Sequence, residues 1–320
     1  MIDLTLSDEQ REILASAAAL LSEQSPVARF RPASRPVDVH GLLASWGWFG
    51  VGVPESAGGL GLGAAEETLL FVEAGRFLLS PGVLATTLAA RLADPELLPQ
   101  LLSGAGRAAM VLPAGDDAFY CFDRGEAAAL VALEDGEARL YPASAFRGTP
   151  AAGLDESVSL ERGRLDRDAI MAAEPDDRAV LLGAAMLAGV AAASCDLAVE
   201  YAKVREQFGQ PIGAFQAVKH RCADMAVRAC AAEAQVLMAA AATLDDGANA
   251  PFQIAAAATT AIAAARANGA SAVQVHGGMG FTAECDAHLY LKRSHLLGRL
   301  IGGSETQHAR LLACPAPEKG

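Results

Sequence analysis

The sequence predicts a mainly α-helical protein with a small β module in its middle. Three observations carry that prediction. Hydrophobic residues make up 52% of the 320 positions and aromatics only 5%, with alanine the largest apolar component; alanine is the strongest helix former and poor strand material. Apolar residues recur at helical spacing at both ends of the chain, most persistently in the C-terminal half. Between about residues 107 and 165 that period gives way to short apolar runs separated by turn residues.

The elements follow in order. Ser7 with Gln10 three residues on is a capping-box signature, and Ile13, Leu14, Ala17, Leu20 and Leu21 then repeat at helical spacing, so a first helix is expected over residues 8–24. Pro26, Pro32 and Pro36 break the pattern. A short helix is expected over 42–48, then a glycine-rich connector from Val53 to Gly61, then helical periodicity over 65–77 and shorter helices punctuated by Pro81, Pro95 and Pro99. Ala108 to Leu112, Ala127 to Leu133 and Ala138 to Tyr141 read as strands, the last two joined through Asp135-Gly136, a tight hairpin tip. After Pro175 helices are expected over 177–204, 214–244, 251–275, 286–300 and 305–314. Three long antiparallel blocks and a shorter tail make a four-helix-bundle core.

Composition narrows the function. Lys+Arg 25 against Asp+Glu 38 gives a net charge of −13, which leaves no general positive field for nucleic acid or anionic membrane. The acidic start does not read as a secretory signal, and a cytoplasmic protein is expected. The apolar run from Ala179 to Val190 reads as a buried bundle helix. Six scattered cysteines form no C-x-x-C pair and six histidines no metal-ligand spacing, so neither a disulfide framework nor a metal site is expected. Gly58-Gly59-Leu60-Gly61 follows no βαβ strand and reads as a helix connector. Two loops carry more: Arg205-Glu206-Gln207-Phe208-Gly209-Gln210-Pro211-Ile212-Gly213, with a guanidinium beside an aromatic, and Gln274-Val275-His276-Gly277-Gly278-Met279-Gly280-Phe281, where glycines let a backbone approach a ligand. By themselves both also read as ordinary helix termini.

These loops and their surroundings resemble the flavin-dependent acyl-CoA dehydrogenases. The stretches that carry the resemblance are Leu6-Ser7-Asp8-Glu9-Gln10, Trp46-Gly47-Trp48, Val53-Pro54-Glu55 with Gly58-Gly59-Leu60-Gly61, Tyr201 to Met225, and Gln274 to Arg293. The resemblance implies an N-terminal helical domain over residues 1–106, a reduced β domain over 107–170 and a C-terminal four-helix bundle over 171–320. It also implies FAD, whose diphosphate would meet Arg205. Gln207 and Phe208 would pack near the adenosine part, and Gln274, Gly277 and Gly278 would line the cofactor from the second loop. A forked guanidinium suits a diphosphate.

The sequence departs from the family pattern at three places. The position of the catalytic Glu, counted on from Arg293, falls on Gly302, and an alternative position on the first bundle helix falls on Ala179, so no catalytic residue is assigned. The β region lacks a Thr-Glu-x-Gly-Ser-Asp stretch, and the CoA-side Asp-x-x-Arg pattern has Asp177 but Val180 where Arg is expected, with Arg178 out of register. The resemblance therefore points to a shortened subunit of a heteromeric acyl-CoA dehydrogenase of the actinobacterial steroid-degrading type. Such a subunit lends an FAD half-site to a larger partner in an α2β2 assembly, and the partner binds most of the acyl-CoA and supplies the base. Two other readings stay open: a self-sufficient homo-oligomer with its base displaced to Glu305 or Asp177, and a helical scaffold of the same fold without cofactor.

Overall fold

The computed structural model describes residues 4–31, 34, 37–244 and 249–314. Ten helices are present among them: α1 (Asp8–Gln24), α2 (Val39–Trp46), α3 (Ala64–Arg76), α4 (Pro81–Leu92), α5 (Leu98–Ser103), α6 (Asp177–Val204), α7 (Gln216–Ala242), α8 (Ala250–His276), α9 (Ala287–Leu300) and α10 (Gly303–Ala313). The capping box forms as the sequence predicts: Gln10 N–H donates to Ser7 Oγ at 3.1 Å while Ser7 N–H donates to Gln10 Oε1 at 3.0 Å. Pro32 and Pro36, two of the expected breaks, lie outside the described residues. The chain folds as two compact units that do not follow chain order, one made of Met1–Pro36, Thr68–Leu78 and Gly183–Gly320, the other of Val37–Glu67 and Leu79–Leu182.

The second unit contains a seven-stranded sheet in the order β5-β6-β2-β1-β3-β4-β7, from β1 (Ala108–Gly115), β2 (Ala118–Phe122), β3 (Ala129–Glu134), β4 (Glu137–Pro142), β5 (Phe146–Pro150), β6 (Leu160–Leu165) and β7 (Ala172–Pro175). All neighbours run antiparallel except β1 and β3. The β3–β4 hairpin turns on Asp135 (φ 54°) and Gly136 (φ 80°), the pair of left-handed residues that a two-residue turn needs. Beneath it the buried Glu134 carboxylate accepts from Arg167 Nη2 (2.6 Å), Tyr141 Oη (3.0 Å) and Arg139 Nη1 (3.2 Å), so its charge is fully answered. Ala109, Val111, Cys121, Leu130, Ala132, Tyr141 and Phe146 form the core of one sheet face. Arg178 donates to the buried Glu67 carboxylate (Nε to Oε2, 2.6 Å), which accounts for an arginine that the sequence left out of register.

In the first unit α3 and α6 meet through two glycines. A Cβ on Gly75 would lie 1.9 Å from Met186 O, and a Cβ on Gly189 would lie 1.9 Å from Val72 O, so each helix presents a bare backbone to a carbonyl of the other. The carbonyls that end the α3 segment are capped from afar: Arg29 Nη2 donates to Phe77 O (2.8 Å) and Leu78 O (3.1 Å), and Arg293 Nη1 to Leu78 O (2.7 Å). Burial, with Arg293 beside it, lowers the Arg29 guanidinium to about 10. By length and composition α6 and α7 could each cross a membrane, but 83% of the apolar window of α6 is buried within the protein, as a bundle helix requires.

The same unit holds an acid-rich cluster around one arginine. Arg76 donates to Asp196 (Nη2 to Oδ2, 2.6 Å) and lies 3.8 Å from Glu73. Burial raises the Glu233 carboxyl above its ordinary 4.5; Arg76 opposes the shift and Asp196 adds to it. A carboxyl whose folded-state pKa is raised destabilises the fold once ionised, and the penalty disappears as pH falls below the unfolded value. Glu233→Gln should therefore raise Tm at pH 7, and its advantage should shrink to nothing as pH falls below 4.5. Thermal melts of both proteins from pH 4 to 8 check this, and a Gln variant less stable at pH 7 would reverse the sign.

Candidate functional site

The Arg205 loop begins where α6 ends. Arg205 N–H donates to Tyr201 O (2.9 Å), continuing the helical pattern by one bond, and Ile212 N–H closes the loop onto Arg205 O at 2.7 Å. Between them the expected interhelix turn is a minimal hairpin, with β8 (Glu206–Gln207) paired to β9 (Gln210–Pro211). Phe208 (φ 54°) and Gly209 (φ 78°) form its tip. An aromatic residue in the left-handed region is strained, and Phe208 is also 93% exposed, its ring set edge-to-face with Phe215 at 6.1 Å between centroids. Gln207 folds its Nε2 back to Glu206 O at 2.8 Å. The Arg205 guanidinium is exposed and makes no hydrogen bond or ion pair with a described residue.

The second loop begins where α8 ends. Gly277 has φ 61° and ψ −138°, a conformation closed to residues with a Cβ. Gly280 is glycine for packing: a Cβ there would lie 2.5 Å from Val273 O. Gly278 has neither reason, because its φ is not positive and a Cβ would meet nothing within 4 Å. Gln274 is exposed on the last turn of α8, and Met279 and Phe281 beyond it are 49% and 78% exposed.

A brace that the sequence did not reveal joins the two loops. The His276 ring stacks on Tyr201 at 4.1 Å and 25°, and its Nδ1 pairs with Ala272 O at 2.8 Å. Beneath the stack Ala198 and Ala202 of α6, Met225 of α7 and Ala272 and Val273 of α8 form one buried cluster. Arg205, Gln207, Phe208, Gln274, Gly277 and Gly278 thus stand at one end of the helical unit, around an open surface. An unanswered guanidinium, an exposed aromatic face and a glycine with room for a ligand fit a dinucleotide diphosphate with an adjoining ring.

At the α9–α10 turn Gly302 (φ 88°) and Gly303 (φ 77°) are both left-handed, and a Cβ on Gly302 would press on the Thr306 side chain at 3.1 Å. Buried Gln307 holds the turn through Nε2 to Ile301 O. Ile301, Gly302, Gly303 and Ser304 carry no carboxylate; Glu305 follows, exposed, in the first turn of α10. On α6, Ala179 is fully buried. In the second unit the β1–β2 connection is a tight turn with Gly115, Asp116 and Asp117 all left-handed. Beside it is a cleft of about 330 Å³ lined by Pro113, Asp117, Phe119, Arg164 and Arg167 among others. No group of three His, Cys, Asp or Glu placed to hold a metal occurs among the described residues.

Comparison with known proteins identifies the family. Residues 177–313 match the family model described as acyl-CoA dehydrogenase, C-terminal domain, and residues 7–99 the one described as acyl-CoA dehydrogenase, N-terminal domain. The chain belongs to the acyl-CoA dehydrogenase family. Members of this family are FAD-dependent flavoproteins. Acyl-CoA dehydrogenase FadE34 of Mycobacterium tuberculosis is 40% identical over 283 residues, which cover 82% of this chain but only 40% of that protein's length. Acyl-CoA dehydrogenase IpdE2 of the same organism is 34% identical over 259 residues, covering 78% of this chain and 77% of that one. Among solved structures, a variant of the Tcur3481-Tcur3483 steroid ACAD superposes with TM-score 0.80 at 25% identity over 96% of this chain and 97% of that one. The ChsE4-ChsE5 complex from Mycobacterium tuberculosis gives 0.79 at 22% identity over 98% and 100%, a likeness of fold.

Proposed function

We propose that this chain is a subunit of an FAD-dependent acyl-CoA dehydrogenase that brings part of the FAD site to a larger partner and leaves proton abstraction to that partner. The observation that carries this reading is the α9–α10 turn. Its two left-handed glycines hold no carboxylate where the family pattern places one, while the Arg205 and Gly277–Gly278 loops keep the residues in which the sequence resembles the family. When bound, FAD supplies the acceptor for the electron pair in α,β-dehydrogenation of an acyl-CoA thioester to its trans-2-enoyl product. This chain's residues bind and orient it: Arg205 would answer the diphosphate, Gln207 and Phe208 would lie against the adenosine part, and Gln274, Gly277 and Gly278 would let the second loop approach closely. Accepting electrons and removing a proton are separable duties, so a subunit without the base can still be essential.

Two of the similar proteins support a partner and a substrate class. One solved neighbour is named as a complex of two differently named chains and the other as a steroid ACAD. The part of FadE34 that this chain does not match is longer than the part it does, long enough for a second chain of this fold. On this reading the assembly is α2β2, cytoplasmic, and its substrate a steroid-derived acyl-CoA held mainly by the partner. The test is to express the chain alone and with the acyl-CoA dehydrogenase encoded beside it. Flavin absorbance only in the joint preparation is the expected result. Flavin in the chain alone favours the self-sufficient enzyme, and flavin in neither favours the scaffold.

The same complex tests the missing base. Replacing Glu305, Asp176 or Asp177 by its amide should leave turnover of an acyl-CoA within a few-fold, whereas losing a real general base costs about 10² to 10⁴ in rate. A hundredfold loss in one variant with flavin still bound would return the chemistry to this chain.

A further inference from the structure

Among the described residues, no hydrogen bond, ion pair or ring contact links the Arg205 loop directly to the Gly277–Gly278 loop. Residues 203–210 of the first are exposed, as are Gly277, Gly278 and Met279 of the second, so neither stretch is held by packing of its own side chains. What joins the loops lies just behind each. Tyr201 precedes Arg205 by four residues, the spacing that shares a helix face, and its carbonyl accepts the Arg205 N–H at 2.9 Å. His276 immediately precedes Gly277 (φ 61°), whose N–H donates to Gln274 O. The two rings stack at 4.1 Å and 25°.

The stack is held in one arrangement. His276 is only 7% exposed, and its Nδ1 carries the proton, because the group it meets at 2.8 Å, Ala272 O, can only accept. That bond fixes the ring. Tyr201 packs on the buried cluster that includes Ala198, Ala202, Met225 and Ala272, and its hydroxyl makes no hydrogen bond with a described residue, so the ring alone is what the fold uses. Ile212 packs on the same cluster and donates its N–H to Arg205 O at 2.7 Å, closing the hairpin. The end of α6 and the end of α8 are thereby set at one separation. A ligand gripped by a guanidinium from one loop and by bare backbone from the other needs that separation before it arrives; loops left to drift bear the ordering cost on binding.

We propose that Tyr201 and His276 are positioning residues that lock the two loops into a single half-site, so that the grip of Arg205 on the FAD diphosphate depends on a buried ring at the end of another helix. His276 has too little exposure to meet a ligand, and Tyr201 acts through the helix turn that carries Arg205. The inference rests on the FAD contacts proposed above and adds to them a coupling between the loops: a defect made on α8 is felt as lost affinity at the end of α6. An aromatic pair contributes enough to shift an equilibrium about 3- to 10-fold, which sets the scale of that loss.

The test is a double-mutant cycle on flavin affinity, read by equilibrium release of FAD from the purified complex with the larger subunit. Tyr201→Leu and His276→Leu each remove the stack, Tyr201→Phe keeps it, and Arg205→Ala is made in wild type and in each Leu background. The expected result is flavin binding about 3- to 10-fold weaker in either Leu variant, wild-type affinity in Tyr201→Phe, and a cost of Arg205→Ala several-fold smaller in the Leu backgrounds than in wild type. A stack that only stabilises the fold would lower the melting temperature and leave the Arg205→Ala cost the same in every background; that outcome overturns the proposal. Equal losses in Tyr201→Phe and Tyr201→Leu also overturn it, by assigning the effect to a direct contact of the hydroxyl. Circular dichroism melts confirm that each variant is folded, and half-exposed Tyr201 carries the cycle alone if His276→Leu is not. Wild-type affinity in Arg205→Ala would defeat the FAD contact itself, whereas a full Arg205 effect undiminished by Tyr201→Leu defeats the positioning role alone.

Discussion

Gly189→Ala and Gly75→Ala should each lower the thermal midpoint by several degrees, among the largest single-methyl effects in the molecule. At both positions the new Cβ would meet backbone, Val72 O or Met186 O at 1.9 Å, and backbone of a packed helix cannot rotate away as a side chain can. Overpacking of this kind costs about 1–3 kcal/mol and sometimes more. Gly183→Ala is the internal comparison, because its Cβ would meet a side-chain methyl, Ile301 Cγ2, which can shift. Because Gly75 and Gly189 serve one crossing, the double variant should lose less than the sum of the singles: once α3 and α6 are forced apart, the second methyl meets less resistance. Unchanged melting for both singles would show that the helices do not meet closely there.

The helices could be read from the sequence because each is declared locally. α6 begins at Asp177, just after Pro175, and runs to Val204, as the apolar period alone indicates; α1 is fixed at its start by the Ser7–Gln10 box. The sheet was only partly readable. β1, β3 and β4 are apolar runs, but β6 reads Leu-Glu-Arg-Gly-Arg-Leu, β5 is the five-residue edge Phe-Arg-Gly-Thr-Pro, and β7 has four residues; such strands exist because a neighbour pairs with them. The candidate site has a similar limit. Glycines and an arginine mark its loops in the sequence, yet they stand together because Tyr201 stacks on His276 across 75 residues of chain, a contact no periodicity announces. Likewise the sequence shows a glycine at position 302, and only the backbone shows that it is left-handed and crowded by Thr306.

Arg205→Ala should weaken flavin binding by the assembled enzyme about 10- to 150-fold, the equivalent of about 1.5–3 kcal/mol for a charge-assisted hydrogen bond. The exposed guanidinium makes no hydrogen bond or ion pair with a described residue, so its removal should leave the fold intact and a loss of flavin would report the cofactor contact. Arg205→Lys separates charge from geometry: an ammonium keeps the attraction but not the two-pronged donor, and should recover only part of the affinity. Phe208→Ala isolates the aromatic contribution. Removing a strained, solvent-exposed phenylalanine should not destabilise the chain, so a fall in flavin affinity with unchanged melting would mark the residue as held in that conformation for its ligand. Equilibrium flavin release, followed by fluorescence in the purified complex, measures all three. Wild-type affinity in Arg205→Ala would remove this loop from the proposed diphosphate contact.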